Sequence, residues 1–174
     1  AVFLGVLNRY QGIDLLLEVV KILKGRGSAP HFLVMGFPEK RYIDKAAAEG
    51  VADLVTFTGR IDYEKAAFCL CAGDIAISPK ISLTEANGKL FNYMACGLPM
   101  VVFDNPVNRE ILGDSGVYAL QGDPADFAAR IEGLLLDRTR MNELAEAVRE
   151  LAVHNHSWSA RGEQLAGIYR EMVK

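Results

Sequence analysis

Residues 1–35 read AVFLGVLNRYQGIDLLLEVVKILKGRGSAPHFLVM, and this stretch decides the fold. Apolar runs at residues 2–7 and 31–35 have the length and composition of buried strands. Between them, apolar residues recur at the spacing of one helix face, while charged residues occupy the other face. The apolar set is Ile13, Leu16, Leu17, Val20 and Leu23. The stretch therefore predicts a strand, an amphipathic helix and a second strand.

Four further apolar runs follow, at residues 54–58, 75–78, 99–103 and 117–120. They alternate with amphipathic stretches, a pattern typical of parallel strands whose sheet is covered by helices on both faces. No internal repeat, low-complexity tract or linker divides the sequence. We therefore expect one α/β domain over residues 1–174, a Rossmann-like three-layer α/β/α sandwich with a central, mostly parallel sheet of about six strands.

Local signals predict several helix ends. Gly25 and Gly27 are typical of a helix C-terminus, because glycine adopts the left-handed conformation that closes a helix. Asp123 and Pro124 combine an N-cap carboxylate with a proline at the first helical position, and they predict a helix over residues 124–136.

Two more helices are expected after it, at about residues 138–153 and 158–173, with Ser157 as the N-cap of the second. The sequence thus ends in three consecutive helices. We expect Trp158 to anchor the last one in the core rather than to serve as a platform for a ligand.

Composition excludes several classes of function. The formal net charge of −3 gives no broad positive field, so we do not expect nucleic acid as a partner. The longest apolar stretches, such as residues 97–103, fall far short of the roughly 20 residues of a transmembrane segment, so none is expected. An odd number of cysteines in predicted helices indicates reduced core thiols rather than a metal site: Cys69, Cys71 and Cys96.

Positive charges follow several of the predicted strands. In open parallel sheets, ligands bind beyond the carboxyl ends of the strands, where loops converge. Four cations are expected at that edge: Arg9, Arg60, Lys80 and Lys89. An acidic protein has to hold an anionic ligand by such local charge, so the grouping indicates a phosphate-bearing ligand. Because lysine and arginine are common on any surface, the cluster alone also fits an ordinary solvated edge.

Residues 78–99 read SPKISLTEANGKLFNYMACGLP, a polar loop leading into a short helix that begins near Asn87 or Gly88. Free backbone N–H groups at a helix start favour an anion, glycine lets a phosphate approach the main chain, and Lys89 adds a charge. Asn92, one turn later, can direct its amide toward a sugar or ribose hydroxyl. The loop's side chains suit a polyhydroxyl ligand, with a solvated helix face as the alternative: Ser82, Thr84, Glu85 and Asn87.

Further motifs occur in a characteristic order. They are Gly5, residues 12–18 (GIDLLLE), 57–60 (FTGR), 72–79, 93–101 (YMACGLPMV), 108–110 (NRE) and 116–118 (GVY), then Asp123, Ser157, Trp158 and Tyr169. Each is weak alone, but the order and spacing together are specific. Over nearly its whole length, the sequence resembles the C-terminal donor domains of GT-B glycosyltransferases, in the large retaining family called group 1 or family 4.

The resemblance implies transfer of a sugar, with retention of configuration, from a nucleotide-diphospho-sugar to an acceptor, with no metal or other cofactor. Lys89 and Arg9 are the candidates for stabilising the leaving diphosphate, which is the catalytic contribution. The diphosphate would meet the start of the short helix, the base the loop after Gly59, and the sugar residues 84–87. The expected donor-binding set is Gly5, Gly12, Gly36, Arg60, Lys80, Thr84, Glu85, Asn87, Gly88 and, for the ribose, Asn92.

The resemblance also implies a partner, an N-terminal acceptor domain that lies outside residues 1–174. The first residues already form a predicted buried strand with no initiator Met before them, so we expect the sequence to begin inside a longer protein. By itself this part is expected to bind the donor without turnover. A cytoplasmic location is expected, with any contact to the inner face of a membrane made through the missing half.

Several positions depart from the family pattern. The family commonly has Arg after the first glycine and Lys before the second, where this sequence has Val6 and Gln11. Thr84 and Asn92 take the places of two glutamates, although Glu85 lies one position away. These departures leave two alternatives open, a non-catalytic nucleotide-binding module and a nucleotide-sugar epimerase of the same architecture. A nicotinamide-dependent enzyme is disfavoured, because no Gly-x-Gly-x-x-Gly follows the first strand.

Overall fold

The computed structural model describes residues 1–83 and 85–173. Thr84, one of the expected donor-binding residues, lies outside the described residues. The six strands of the described part are β1 (Val2–Leu4), β2 (Phe32–Met35), β3 (Val55–Gly59), β4 (Ala76–Ser78), β5 (Met100–Phe103) and β6 (Val117–Ala119). Its eight α-helices are α1 (Ile13–Arg26), α2 (Lys40–Ala48), α3 (Tyr63–Leu70), α4 (Lys89–Ala95), α5 (Pro106–Leu112), α6 (Pro124–Leu136), α7 (Arg138–Asn155) and α8 (Trp158–Met172).

The strands form one parallel sheet in the order β3-β2-β1-β4-β5-β6. The chain first builds outward from β1 to β3, then returns to the centre and places β4 on the other side of β1. This is the strand order of a doubly wound, Rossmann-like sheet, so the predicted fold class is confirmed. The loops after β1 and β4 leave in opposite directions, which makes the carboxyl ends of these two strands the natural place for a ligand crevice.

Helices cover both faces of the sheet and create two cores. On one face, α1, α2 and α6 pack over a cluster that includes Phe3, Phe32 and Phe127. On the other face, α4, α5 and α7 pack over a cluster that includes Tyr93 and Met100. Because each buried side chain of this size contributes roughly 1.5 to 3 kcal/mol, the two clusters hold the three layers together.

The predicted helix ends are largely confirmed. Gly27 closes α1 in the left-handed conformation, with a φ of 72°, while Gly25 lies inside the helix. The Asp123 side chain accepts hydrogen bonds from the first turn of α6, and Ser157 caps α8 in the same way. These local signals act within a few residues, so they could be read without knowledge of the tertiary structure.

The first strand is shorter than predicted. Residues 2–7 were expected to be extended, but β1 ends at Leu4, because Gly5 has a φ of 150°, outside the range of a strand. Leu7 still donates a backbone hydrogen bond to the Phe37 carbonyl, at 2.8 Å. The early end of β1 leaves residues 5–12 free to form a loop over the carboxyl edge of the sheet.

The prediction that Trp158 anchors the last helix in the core is wrong, because its side chain is 95% exposed. No described residue of α8 is buried, since this helix packs mainly against α7. The three cysteines are free. Cys69 and Cys96 are partly buried and pack against the second core cluster, whereas Cys71 is exposed, so the prediction of core thiols is wrong for Cys71. Cys71 and Cys96 lie just beyond helix ends rather than inside helices.

In the part of the chain that the structure describes, no helix has the length and apolar character needed to span a membrane.

Candidate functional site

A tyrosine hydroxyl joins β1 and β4 where the crevice begins. Tyr93 on α4 is fully buried, and its hydroxyl accepts the Leu4 N–H at 2.8 Å and donates to the Ile77 carbonyl at 3.3 Å. This burial raises the pKa of Tyr93, which therefore stays protonated. Val2 and Ala76 are the pair of residues at which β1 and β4 are in register. Beyond that pair, the tyrosine hydroxyl bonds the Leu4 N–H of β1 and the Ile77 carbonyl of β4.

Lys89, the first residue of α4, reaches across the crevice to the loop after β1. Its ammonium group lies 4.4 Å from the centre of the Phe3 ring and donates a hydrogen bond to the Gln11 side-chain carbonyl. A methyl group added at Gly5 would lie within 3.2 Å of the Lys89 Cε atom. The absence of a side chain at Gly5 therefore leaves the space that the Lys89 side chain occupies.

The electrostatic state of Lys89 is unusual. Burial, with a smaller contribution from the nearby Lys80 ammonium, lowers the pKa of Lys89 to about 7. Within the described residues, no carboxylate lies within 4.0 Å of its Nζ atom. A poorly solvated cation without a counter-charge is costly, and an anionic ligand would remove that cost.

Gly12 brings the loop after β1 against the loop after β4. Its φ is 76°, and a side chain there would overlap the carbonyl oxygen of Pro79. Nearby, Ile81 donates its backbone N–H to the Tyr10 carbonyl at 3.1 Å. Gly36 has a similar packing role, because a side chain there would overlap the Gly5 carbonyl oxygen.

Residues 79–88 are here called the donor loop. Among its described residues, the Lys80 side chain does not point where the sequence predicted. Lys80 is only 3% exposed and donates to the carbonyls of Glu85 and Ala86, at 3.0 Å each. The Glu85 carboxylate, which is mostly exposed, lies 3.4 Å from the same ammonium. Lys80 thus turns under the loop and braces it, instead of presenting its charge at the mouth of the crevice.

Asn87 is also used internally. It is buried, and its amide nitrogen donates to Ser78 and to Asn108, at 3.0 Å each. Gly88, by contrast, is exposed, and a side chain added there would meet open space. Of these two residues, only Gly88 offers its backbone to a ligand, so the structure favours a positioning role for the Asn87 side chain.

Arg9 and Arg60 lie on the loops after β1 and β3, as predicted, and both side chains are exposed. The Arg60 guanidinium lies 5.5 Å from the centre of the Phe37 ring. Beyond the end of β3, Arg60 borders a cavity of about 630 Å³ whose other lining residues include Leu4 and Ile61. A volume of this size falls in the usual range for small-ligand pockets. The structure therefore places a cavity next to the loop expected to hold the base.

A second cavity, of about 290 Å³, lies between α3 and α4. Asn92 lines it, and no hydrogen bond between described residues involves its side-chain amide. Sequence reasoning missed Tyr63 and Glu64, which border both cavities. The sequence signal that could have indicated them is the aromatic residue Tyr63, three residues after Arg60 and at the start of a helix. In the structure the Tyr63 side chain is 85% exposed.

A third cavity, of about 960 Å³, lies between α5, α7 and α8 and meets the donor loop at Ala86. His154, His156 and Arg161 line it, but Lys89 and Gly5 do not. His156 contacts the Phe91 ring, and burial lowers the pKa of its imidazole. We attribute this cavity to the exposed position of α8 rather than to the candidate site.

The strand order and the crevice between β1 and β4 define the class, a Rossmann-like α/β domain that binds ligands at the carboxyl ends of its strands. The chain belongs to a family within that class: residues 1–137 match the family model described as Glycosyl transferases group 1. The predicted family is thereby confirmed.

Individual relatives agree with this assignment. The chain is 29% identical over 174 residues to alpha-D-kanosaminyltransferase of Streptomyces kanamyceticus, a match covering 98% of this chain and 45% of that protein. It is 32% identical over 138 residues to D-inositol 3-phosphate glycosyltransferase of Geodermatophilus obscurus, covering 77% and 29% of the two proteins. The chain thus spans less than half the length of either relative.

Two solved structures share the fold. Sucrose-phosphate synthase from Thermosynechococcus elongatus superimposes with a TM-score of 0.84 at 21% identity, covering 99% of this chain and 45% of that one. HepE from Anabaena, solved in complex with UDP, gives a TM-score of 0.84 at 16% identity, covering 98% and 48%. Both likenesses show that this Rossmann-like fold is shared with about half of each of the two longer chains.

Proposed function

We propose that this chain is the C-terminal donor-binding part of a retaining glycosyltransferase that uses a nucleotide-diphospho-sugar. The observation that carries the proposal is the Lys89 ammonium, which lies in the crevice between β1 and β4 with no carboxylate of the described residues within 4.0 Å. The membership of the chain in the group 1 family supports it. So does the relative of the same fold that was solved with UDP.

The proposed placement of the donor follows the geometry of the crevice. The diphosphate lies at Lys89 and at the exposed backbone of Gly88, while Gly5 leaves room beside the lysine. The nucleoside occupies the cavity next to Arg60, with the Asn92 amide directed to the ribose. The sugar lies against the donor loop, which contains Glu85.

The proposed chemistry is stabilisation of a leaving group. As the bond between the sugar and the diphosphate breaks, negative charge develops on the phosphates, and a preorganised cation stabilises it. Lys89 is placed to do so, and Arg9, on the exposed loop after β1, adds a second charge when a ligand is bound. No side chain of this chain is assigned as a nucleophile or base.

We further propose that binding needs no metal ion, because the lysine and arginine side chains supply the positive charge. Titrations with EDTA present should then give the same affinity as titrations with Mg²⁺. A tenfold or greater gain in affinity with Mg²⁺ would contradict this proposal.

The acceptor site is proposed to lie on a second, N-terminal half, because the relatives are more than twice as long as the region they share with this chain. Helix α8 offers a surface for that half. Four of its exposed apolar residues occupy one face and are here called the α8 stripe: Trp158, Leu165, Tyr169 and Met172. Exposed apolar patches of this kind mark interaction surfaces.

The test is calorimetric titration of the 174-residue chain with UDP, GDP and ADP and with their common sugar conjugates. We expect one nucleotide series to bind, with an affinity at least about tenfold weaker in Lys89→Ala, because a charge-assisted hydrogen bond is lost. Lys21→Ala, an exposed lysine on α1, is the matched control and should bind like the wild type. Absence of nucleotide binding both here and in a protein carrying the second half would overturn the proposal.

The two alternatives, a non-catalytic nucleotide-binding module and a nucleotide-sugar epimerase, can be distinguished from a glycosyltransferase by the products that each forms. The relatives carry the names of glycosyltransferases, which favours neither a non-catalytic module nor an epimerase. This chain alone is expected to bind the donor without releasing free nucleotide faster than buffer does. In a protein with both halves, sugar transfer supports the proposal, whereas an epimerised donor sugar or binding without any reaction would support an alternative.

A further inference from the structure

The donor loop is held by a buried hydrogen-bond network that lies behind the proposed site. Asn108, on α5, is 1% exposed, and its amide nitrogen donates to the Phe103 carbonyl at the end of β5, at 2.8 Å. This contact fixes the orientation of the amide, because a carbonyl only accepts. The Asn108 carbonyl oxygen is therefore turned toward Asn87, whose amide nitrogen donates to it at 3.0 Å.

Asn87 completes the network at the other end of the donor loop. Its amide nitrogen also donates to the Ser78 hydroxyl, at the end of β4, at 3.0 Å. Its backbone carbonyl accepts the N–H of Leu90 in the first turn of α4, at 3.0 Å. Two residues after Asn87 comes Lys89, so the position of the Asn87 side chain sets where α4 and its lysine begin.

A second set of hydrogen bonds connects the beginning of the donor loop to α5, the helix that carries Asn108. The Asn105 side chain caps α5 by accepting the Asn108 N–H at 2.9 Å, and its amide donates to Gln121 at 3.3 Å. Gln121 in turn donates to the Ile81 carbonyl, at 3.3 Å. Both ends of the donor loop are thus fastened to α5, one through Asn87 and one through Gln121.

We propose that Asn108 is a positioning residue of the nucleotide-sugar site: it fixes Asn87 and, through Asn87, the start of α4 that carries Lys89. This inference rests on the proposed function. Asn108 is buried behind the donor loop and lines neither of the two cavities beside the crevice. Its effect on the donor is transmitted through Lys89, because a misplacement of about 1 Å in a binding group is enough to weaken its interaction strongly.

The test is a double-mutant cycle on the 174-residue chain, with the affinity for the best-binding nucleotide as the readout. Asn108→Ala is expected to weaken binding about tenfold, and Asn108→Ala combined with Lys89→Ala no more than Lys89→Ala alone. Coupled residues give such non-additive losses, whereas independent losses multiply. Asn142→Ala, an exposed asparagine on α7, is the matched control and should bind like the wild type.

Gln121→Met is the second variant, because Gln121 is exposed and its replacement does not threaten folding. It removes the connection to Ile81 and is expected to weaken binding about threefold, again without adding to Lys89→Ala. Gln164→Met on α8 is its control. Gln121→Met tests only the connection at Ile81. If Asn108→Ala does not fold, Asn108→Leu takes its place, because leucine is similar in size to asparagine and also offers no acceptor to the Asn87 amide.

The outcomes separate the two proposals. If the wild type binds but both network variants bind equally well, the positioning role is overturned and the proposed function stands. The same holds if their losses multiply with that of Lys89→Ala. If the wild type and a protein with both halves bind no nucleotide, the proposed function is overturned, and this inference with it.

Discussion

At the scale of single residues, Lys89 connects the fold to the proposed function. Its ammonium group lies against the Phe3 ring, the charge of Lys80 is near enough to lower its pKa further, and no carboxylate of the described residues lies within 4.0 Å. Desolvating a charge costs free energy unless an opposite charge compensates it. The unliganded site therefore carries a cost that a diphosphate would remove, which is a common exchange of stability for binding.

The affinity for a nucleotide-sugar is predicted to fall as the pH rises through 7. Burial lowers the pKa of Lys89 to about 7, so the charged fraction falls about fivefold between pH 7 and pH 8. A bound diphosphate favours the charged form, so above pH 7 the site takes up a proton on binding. We expect the affinity to fall about fivefold over the same interval. Calorimetry in two buffers of different ionisation enthalpy measures the proton uptake.

Lys89→Met is the control for this pH dependence. It should bind weakly, with no proton uptake and with an affinity that does not change between pH 6.5 and pH 8.5. A wild type whose affinity is constant over that range would contradict a role for the Lys89 charge, even if nucleotide binding itself were observed.

Lys89→Met is also predicted to raise the free energy of unfolding of the unliganded chain. The folded-state pKa of Lys89 lies below the unfolded value of about 10.4, so wild-type stability rises between about pH 7 and pH 10. Below pH 7 both states are protonated, and the full cost of burying the ammonium remains. Lys89→Met should therefore gain on the order of 1 kcal/mol at pH 6, and less at pH 9. Urea unfolding at both values checks this, and a loss of stability at pH 6 would refute it.

Sequence reasoning singled out Lys89 but not the actual orientation of its neighbours. Lys80 and Asn87 were expected at the ligand, yet both side chains turn into the protein and hold the donor loop. The direction of the Asn87 side chain depends on Asn108, 21 residues further along the sequence. The direction of Lys80 depends on how the loop folds back to bring the carbonyls of Glu85 and Ala86 to its ammonium group. Contacts of this kind are set by the tertiary structure and leave no local signal.

At the scale of elements, the signals that act over a few residues were the reliable ones. Asp123 and Ser157 cap α6 and α8 as expected, because an N-cap contacts only the first turn of its own helix. Trp158 was misplaced because packing against a core depends on where α8 lies relative to the sheet. The end of β1 was misjudged because an apolar pattern does not reveal the φ of Gly5.

Gly12 is predicted to be irreplaceable at the junction of α1 and the donor loop. Gly12→Ala would force a non-glycine residue to a φ of 76° and would overlap the Pro79 carbonyl. We expect a loss of about 2 to 3 kcal/mol in the free energy of unfolding. Gly133→Ala on α6, where the added methyl meets open space, should instead gain about 0.5 to 1 kcal/mol. Urea denaturation measures both, and equal effects of the two variants would rule out the proposed close contact.

At the scale of the whole molecule, alternating strands and helices predicted the Rossmann-like class, which the sheet confirms. The position of the crevice follows from that class, because the strand order reverses between β1 and β4. What the pattern did not provide is the arrangement of the last helix. A helix with one apolar face is expected to lie against a core, yet α8 leaves that face exposed.

The α8 stripe yields a prediction that separates the stability of this chain from its assembly. The double variant Leu165→Glu and Tyr169→Glu should leave the melting temperature of the 174-residue chain unchanged within about 1 °C, because both side chains are at least half exposed. In a protein that carries the proposed second half, the same glutamates would be buried without partners and should weaken the packing of the two halves. Thermal denaturation and limited proteolysis of both proteins measure this difference.

The matched control is the double variant Glu163→Gln and Arg170→Gln, on the polar face of α8. It should change neither the melting temperature nor the proteolysis of either protein. If the glutamates at positions 165 and 169 lower the melting temperature of the 174-residue chain, the stripe is part of its own core. If they change neither protein, the second half does not pack on α8. An effect confined to the longer protein would identify α8 as the element on which the proposed second half packs.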